Sequence, residues 1–364
     1  MKINIITCHD VYNHGASLQA YALQTYLINL GHNVEIIDYR PDYLSGHYKL
    51  CSVTNPVYDR PFIKQLYLMA KLPGRLIALR RKRAFDNFTR KYLRITPHKY
   101  HSNNELKANP PEADIYIAGS DQIWNTLFKN GKDPAFYLDF APPEKIRISY
   151  AASFSTTSIQ EIYLPFVKKQ LQNFHSISIR ERSSLPLLFS LGFKGIAVCD
   201  PVFLLSKEKW ESFLLPQKKH EKYVLVYDFD NNQVIQSIAE TIAENHGLKI
   251  YNIGATQKKY ASKNFIYSGP FEFLSLIHDA SFVISNSFHA TAFSLIFQRD
   301  FCVINRKENI NIRMSSLLND LHLTNRIVSE YSNSLKIPID YSSINPIIEK
   351  DIHFSKQFLY KNIG

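Results

Sequence analysis

The chain has 364 residues, of which 45% are hydrophobic and 21% charged, a composition that indicates a globular protein and excludes a disordered one. Its formal net charge of +11 favours anionic partners, namely phosphorylated substrates, nucleic acid or an anionic membrane surface. No apolar run reaches the roughly 18 residues of a membrane span. The four cysteines form no CxxC pair, which excludes zinc and thioredoxin motifs and favours a reducing cytoplasm.

The first half of the chain is predicted to begin with a strand at residues 3–7, which is too short and too polar at its end to be a signal peptide. A helix at residues 18–30 and a second strand at 34–39 follow, separated by Gly31. This βαβ order predicts a parallel sheet with a right-handed crossover. Further elements are predicted as strands at 114–118, 146–151, 176–179 and 195–198, and helices at 157–173 and 184–191.

A polar segment at residues 205–221 is predicted to separate the two halves, because the alternation of strands and helices restarts after it. The predicted strands are 223–227, 249–253, 282–285 and 301–304, and the predicted helices are 233–246, 271–277 and 290–297. The fold class is therefore α/β, with two Rossmann-like domains facing a cleft. We expect domains at residues 1–205 and 222–340, and a tail at 341–364 that packs back on the first domain.

Residues 71–94 combine nine basic side chains with apolar residues at helical spacing, which predicts a basic amphipathic helix. Such a helix commonly packs its apolar side on a sheet and exposes its charges to solvent. The alternative is a surface for anionic lipid or a lipid-linked anionic substrate. No base-reading motif accompanies the charge, so we expect no nucleic-acid partner.

The segment Ser285-Asn286-Ser287-Phe288-His289 follows a predicted strand and opens a helix. Free backbone N–H groups and the positive end of the helix dipole favour an anion there, and His289 adds an imidazole for acid–base chemistry. The alternative is structural, with Ser287 capping the helix and His289 satisfied in the core.

Residues 119–125, Gly-Ser-Asp-Gln-Ile-Trp-Asn, follow another predicted strand, at the end where open α/β sheets bind ligands. Asp121 is a candidate base there or, alternatively, an ordinary helix cap. Arg180 also follows a strand and is suited to clamping a carboxylate, although a surface salt bridge is the common role of such a residue. Arg313 is a basic candidate for the cleft, while Asp200-Pro201 is predicted to be a structural turn.

Several of these segments together resemble the polysaccharide pyruvyl transferase family, in an order that spans most of the chain. The segments that carry the resemblance are Asn13, Gly15, Ala16, Leu18 to Ala20, Ala22 and Leu23; residues 119–125; Ser178 to Glu181 with Ser183; Asp200 to Val202; Ser285 with Ser287 to Ala290; and Asn311, Arg313 and Ser316 to Leu318. The resemblance implies a fold similar to the GT-B glycosyltransferases. It also implies a phosphoenolpyruvate donor, a sugar acceptor, a pyruvate ketal as product and release of phosphate.

Under this resemblance, the arginine at 180 and the histidine at 289 serve the donor. We expect the domain at 222–340 to form the donor side of the cleft and the domain at 1–205, with the basic helix, to form the acceptor side. We expect Arg180, Ser287, His289 and Arg313 to bind the donor, and His289 and Asp121 to act as acid and base. The acceptor or cleft wall is assigned to Asn13, Gly15, Ser17, Ser120, Gln122, Trp124 and Asn125. Phosphoenolpyruvate is a co-substrate, and the chemistry requires no metal or redox cofactor.

Bacterial capsule or exopolysaccharide precursors are built on a lipid diphosphate at the membrane, so we expect a cytoplasmic enzyme that can lie peripherally on the inner membrane face. Two rival functions belong to other classes. One is a nucleotide-sugar glycosyltransferase of the same fold type, and the other is a non-catalytic sugar-binding protein of polysaccharide assembly.

Overall fold

The computed structural model describes residues 1–45, 53, 58, 60, 62–216, 221–308 and 310–364 of the chain. It contains one five-stranded sheet in each half, and every strand pairing within them is parallel. Parallel neighbours require crossover connections, which the intervening helices largely supply. The predicted α/β class is therefore confirmed.

The first sheet has the strand order β3-β2-β1-β4-β5. Its strands are β1 (Lys2–Ile6), β2 (Asn33–Tyr39), β3 (Ile95–Tyr100), β4 (Ile115–Ala118) and β5 (Ile146–Ser149). A parallel pair, β6 (Ser178–Ile179) and β7 (Ile196–Ala197), adjoins β5 through a bridge between Ile148 and Ser176. The helices of this half are α1 (His14–Asn29), α2 (Asp42–Ser45), α3 (Ile63–Tyr92), α4 (Asn103–Ala108), α5 (Leu164–Leu171), α6 (Leu185–Ser190) and α7 (Lys207–Glu211).

The second sheet repeats this arrangement with the order β10-β9-β8-β11-β12. Its strands are β8 (Tyr223–Tyr227), β9 (Lys249–Ile253), β10 (Lys263–Phe265), β11 (Phe282–Ser285) and β12 (Phe301–Val303). The helices are α8 (Gln233–His246), α9 (Pro270–His278), α10 (Phe288–Ile296), α11 (Ile312–Asp320) and α12 (Tyr341–Ile363). In both sheets the strand order reverses beside the first strand, so each half has one switch point at which open α/β sheets bind ligands.

Helix α1 lies between the two sheets and is buried over most of its length. One apolar cluster runs through this region and joins Leu18 of α1 to Phe273 of α9 and Phe293 of α10. The first turn of α1 is also anchored in the second half, because the ring of His14 stacks on Phe273 with centroids 4.8 Å apart. Separate apolar clusters cover the outer faces of the two sheets.

Helix α12 contacts the first half of the chain, although it follows the second sheet in sequence. The hydroxyl of Ser355 accepts a hydrogen bond from the backbone N–H of Cys199 at 2.8 Å. The carboxylate of Asp351 lies 3.7 Å from the guanidinium of Arg182. These contacts place α12 against the segment that follows β7.

Several predicted helix bounds need correction. Helix α1 begins four residues before the predicted start, because the Asn13 side chain caps it by accepting from the N–H of Ala16. The helix predicted at 157–173 is only Leu164–Leu171, since Pro165 is tolerated in a first turn but not in a helix interior. The basic helix predicted at 71–94 is instead α3, which begins at Ile63 and ends at Tyr92. In the described part of the chain, none of the helices is long and apolar enough to cross a membrane.

Candidate active site between the two sheets

The polar segments found in the sequence converge where the switch points of the two sheets face each other. Residues 119–125 follow β4, beside the loop after β1 that leads into α1. In the second sheet, Ser287 and His289 follow β11, which is the strand beside β8 at the switch point. Ligand-binding edges of two Rossmann-like sheets therefore meet in one cleft.

Asp200 is the centre of the hydrogen-bond network in this cleft. Its Oδ2 accepts from Nη1 of Arg180 at 2.7 Å and from Oγ of Ser120 at 3.1 Å. Its Oδ1 accepts from the backbone N–H of Val202 at 3.1 Å, which also caps the helical turn after Pro201. The predicted structural turn is therefore present, but the carboxylate that forms it also holds two neighbours of the cleft.

His289 occupies the first turn of α10 and points at this carboxylate from the opposite half of the chain. Its Nε2 lies 3.5 Å from Oδ2 of Asp200, which is within ion-pair distance but does not have hydrogen-bond geometry. On the other side the ring lies against α1, where a Cβ on Gly15 would overlap it. Glycine at position 15 therefore permits the close approach of α1 to the imidazole.

Ser287 caps α10, as the structural alternative in the sequence predicts. Its hydroxyl accepts from the N–H of Ala290 at 3.4 Å, and its φ and ψ are those of an N-cap residue. This leaves the N–H groups of Phe288 and His289 at the positive end of the helix dipole. Capping and anion binding are compatible at this position, because they use different N–H groups.

Arg180 is almost completely buried and retains an unused hydrogen-bond donor. Its Nε donates to Oε1 of Glu181 at 3.1 Å, and its guanidinium lies over the ring of Phe288 at 4.3 Å. Its Nη2 has no partner among the described residues, and neither has the second oxygen of Glu181. Buried polar groups normally have partners, so these atoms indicate a place for a bound polar group.

Arg313 brings a second guanidinium into the same cleft from α11 of the other half. Burial, and then the positive charge of Arg180, lower the pKa of Arg313 to about 10. The carboxamide of Gln122 lies against this guanidinium, and with its oxygen turned towards Arg313 it accepts from Nη2 and Nη1 at 3.1 and 3.2 Å. Nε of Arg313 has no partner among the described residues. Each of these two buried guanidiniums keeps an unused N–H donor, so together they can donate hydrogen bonds to an anion, although Glu181 and Asp200 already balance the charge of Arg180.

Asp121 follows β4 with a positive φ of 80°, which is uncommon for a residue with a side chain. Its negative charge opposes the effects of burial on the pKa values of both Arg180 and Arg313, which places the carboxylate near both guanidiniums. Strained backbone of this kind is concentrated at functional sites, where the surrounding structure enforces it.

Burial by itself would raise the pKa of Asp200, but His289 and then Arg180 outweigh burial and hold that pKa well below its ordinary value. The carboxylate therefore stays ionised at neutral pH inside the protein. This fixed negative charge lies beside Nε2 of His289 and orients the ring.

The structure brings Arg180, His289, Arg313, Ser120, Gln122 and Gly15 into this cleft and places Trp124 and Asn125 differently. Trp124 is fully buried in the core of the first half, stacks on Tyr137 and donates to the carbonyl of Phe136 at 3.0 Å. Asn125 is buried as well, and its Oδ1 accepts from the N–H of Leu127 at 3.1 Å. Trp124 and Asn125 hold the turn after β4 instead of lining the cleft.

Asn13 and Ser17, which were also assigned to the cleft wall, have structural roles at the start of α1. Asn13 caps α1, and Ser17 is buried in its first turn. Sequence reasoning missed Asp200 as a member of the site, and it also missed Glu181. The only available signal was the position of Asp200 directly after a predicted strand, which is also where an ordinary turn begins.

Two parallel sheets that face each other across a cleft define a two-domain α/β protein of the GT-B type. A glycosyltransferase involved in avilamycin A biosynthesis has a similar fold, with a TM-score of 0.52 and 10% identity over 100% of this chain and 97% of that chain. A UDP-N-acetylglucosamine 2-epimerase from Rickettsia bellii is also similar, with a TM-score of 0.50 and 10% identity over 99% of this chain and 95% of that chain. At these identities the likeness concerns the fold alone.

The family model described as polysaccharide pyruvyl transferase matches residues 13–308. The chain therefore belongs to the polysaccharide pyruvyl transferase family, as the resemblance in its sequence indicates. This membership identifies a transferase that acts in polysaccharide biosynthesis. No curated protein matches the chain.

Proposed function

We propose that this protein transfers pyruvate from phosphoenolpyruvate to two hydroxyls of one sugar in a bacterial surface-polysaccharide precursor, with release of phosphate. The observation that carries the proposal is the pair of buried arginines. Arg180 and Arg313 come from different halves of the chain, and each retains a nitrogen without a partner among the described residues. Phosphoenolpyruvate carries a carboxylate and a phosphate, which are two groups that guanidiniums bind well.

The donor is assigned to the space between Arg180, Arg313 and the amino end of α10. Arg180 binds the carboxylate or the phosphate, and Arg313 binds the other anionic group. The N–H groups of Phe288 and His289 favour negative charge there through the helix dipole. Filling this space with an anion also satisfies the buried donors that the protein leaves unpaired.

The reaction begins with protonation of the methylene carbon of phosphoenolpyruvate, which leaves an oxocarbenium-like centre on the neighbouring carbon. His289 is the proposed proton source, or the cation beside the phosphate. The first sugar hydroxyl attacks that centre and forms one C–O bond while its proton passes to a base. The C–O bond to phosphate then breaks and phosphate leaves, while the second hydroxyl bonds to the same carbon and gives its proton to the departing phosphate.

Asp121 is the proposed base for the acceptor hydroxyl. Its carboxylate has no hydrogen-bond or ion-pair partner among the described residues apart from the long-range charge of the two arginines, which keeps it available. Ser120 and Gln122 flank it and already contact the donor residues Asp200 and Arg313. The acceptor therefore approaches from the loop after β4, opposite α10.

Asp200 is a positioning residue in this scheme. It holds the guanidinium of Arg180 and faces Nε2 of His289, so one carboxylate sets the orientation of both donor-binding side chains. A carboxylate behind an imidazole also fixes the orientation of the ring towards its substrate.

The test supplies purified protein with phosphoenolpyruvate and a set of sugar acceptors, and follows phosphate release together with the gain in mass of the sugar. Wild type and the surface variant Arg90→Ala are expected to release phosphate, and His289→Ala and Arg180→Ala are expected to lose most turnover. Wild-type turnover in both site variants would contradict the assignment. Activity with a nucleotide sugar that ignores phosphoenolpyruvate would favour a glycosyltransferase, and sugar binding without turnover on any donor would favour a binding protein.

A further inference from the structure

The amino-terminal half of α3 exposes a row of large apolar side chains on one side. We call Phe62, Leu66, Met69, Leu72 and Leu76 the outer stripe. Met69 is 70% exposed and Leu66 68% exposed, and the other three also belong to the most exposed apolar residues of the chain. Spacings of three, three and four residues place Leu66, Met69, Leu72 and Leu76 on one side of the helix, and Phe62 immediately precedes its first residue.

The outer stripe differs from the apolar residues in the other half of the same helix. Phe85 and Phe88 are buried, and they pack edge to face on Tyr12 and Phe271 respectively. The half of α3 from about residue 81 onwards therefore uses its apolar side to join the core, as the ordinary amphipathic interpretation of the sequence predicts. The amino-terminal half has the same pattern but leaves it in solvent.

The charges around the outer stripe are all of one sign. Residues 63–85 contain seven lysines and arginines and no aspartate or glutamate. Lys71, Arg80 and Arg83 are exposed, whereas Arg81 is buried and Lys82 forms an ion pair with Asp86 at 2.5 Å. An exposed apolar row with cations and no carboxylates is complementary to a surface that is apolar inside and anionic outside.

We propose that the outer stripe inserts into the headgroup region of an anionic lipid bilayer and holds the protein at a membrane surface. The helix would lie in the plane of the interface, because its apolar side spans about 21 Å along the axis from Phe62 to Leu76. Arg80 and Arg83 would remain at the level of the lipid phosphates, where their long side chains reach, and Lys71 on the opposite side of the helix would add to the positive field. A second copy of this chain is a poorer occupant, since pairing two such helices would bring cations against cations.

This inference moves the lipid surface that the sequence suggested. The prediction centred on residues 71–94, whereas the exposed apolar side chains lie at positions 62–76. It does not depend on the proposed pyruvyl transfer, because binding to vesicles is measured without substrate.

The test is flotation of the full chain with vesicles of phosphatidylcholine alone or of phosphatidylcholine with phosphatidylglycerol. Wild type is expected to bind the anionic vesicles at least about tenfold more tightly than the neutral ones. Two triple variants are each expected to lose at least about tenfold in binding to the anionic vesicles. The stripe variant carries Leu66→Ser, Met69→Ser and Leu76→Ser, and the charge variant carries Lys71→Gln, Arg80→Gln and Arg83→Gln. A matched control, Ile162→Ser with Phe189→Ser, removes two apolar side chains of similar exposure elsewhere and is expected to bind as wild type does.

Circular dichroism and the thermal midpoint confirm that each variant is folded. The proposal is overturned if wild type floats equally with neutral vesicles, if it floats with neither, or if the stripe variant retains full binding. It is also overturned if sedimentation shows a dimer that the stripe variant abolishes, because a second copy would then occupy the surface. Since none of these variants touches the cleft, phosphate release on a water-soluble acceptor should stay at the wild-type rate in all of them.

Discussion

Asp200 and His289 come from different halves of the chain, and Oδ2 of the carboxylate lies 3.5 Å from Nε2 of the imidazole inside the protein. The same oxygen accepts from Arg180 at 2.7 Å. A buried carboxylate is costly without partners, so this contact links the packing of the two sheets to the geometry of the cleft.

Removing the charge of Asp200 is expected to destabilise the protein in a pH-dependent way. The pKa of Asp200 lies below its ordinary value in the folded state, so its ionised form stabilises the fold fully above about pH 4. This stabilisation is lost as the pH falls towards the lowered pKa. Asp200→Asn should therefore cost about 3 kcal/mol of unfolding free energy at pH 7, and less as the solution is acidified.

Urea unfolding of wild type and Asp200→Asn between pH 7 and pH 3 measures this difference. Asparagine keeps the size of the side chain and the oxygen that accepts from Val202, so the variant tests charge and not shape. If the unfolding free energies of wild type and Asp200→Asn differ by the same amount at every pH, the charge of Asp200 does not have this role.

The close approach of α1 to His289 gives a prediction about Gly15. Gly15→Ala is expected to destabilise the protein by about 2 kcal/mol, because the new Cβ must displace either the imidazole or the helix. In a His289→Ala background the same substitution should cost much less, since the ring is absent. Gly74→Ala is the matched control, because a Cβ there meets open space.

Thermal or urea unfolding of the four proteins of this cycle measures the coupling between positions 15 and 289. If Gly15→Ala lowers the unfolding free energy equally in the wild-type and His289→Ala backgrounds, the new Cβ does not clash with the imidazole.

A change at His289 is expected to lower turnover more than donor binding. His289→Gln removes the proton source but keeps a polar side chain of similar length, so kcat should fall at least about 100-fold. The affinity for phosphoenolpyruvate should change little, because Arg180 and Arg313 remain. Steady-state rates and a direct binding titration separate the two quantities, and a variant with unchanged kcat would remove His289 from the chemistry.

A buried ion pair in the second half gives a prediction that is independent of the cleft. Nζ of Lys258 lies 2.6 Å from Oδ2 of Asp228, and both side chains are almost fully buried. Lys258→Met leaves that carboxylate without its cation and is expected to cost about 3 kcal/mol of unfolding free energy. Lys207→Met, which breaks a half-exposed pair with Glu211, should cost less than about 0.5 kcal/mol.

Much of the fold could be predicted from the periodicity of apolar residues. The predicted bounds are most accurate for elements that are long and buried. β8, β9, β11 and α8 have the predicted bounds. These strands are central or nearly so and almost wholly apolar, so their pattern is continuous. β3 and β10 were not predicted, because both are edge strands with exposed polar residues and β3 contains Pro97.

The site was predictable in part, for a related reason. Arg180 and His289 stand out because each follows a strand and carries a reactive group. Asp200 does not, since its hydrogen bonds to Ser120 and Arg180 cross 80 and 20 residues of sequence, and only the packed fold brings these groups together. Trp124 was misplaced because a large aromatic residue beside a ligand-binding turn fills the core as readily as it lines a cleft.

Calorimetric titration of phosphoenolpyruvate into wild type, Arg180→Gln, Arg313→Gln and the surface control Arg90→Gln tests the two-arginine donor site most directly. We predict that wild type and Arg90→Gln bind the donor with equal affinity, and that each site variant binds it at least about tenfold more weakly, because a charged hydrogen bond is lost. Unchanged affinity in Arg180→Gln and Arg313→Gln, or no binding by the wild-type protein, would contradict the account.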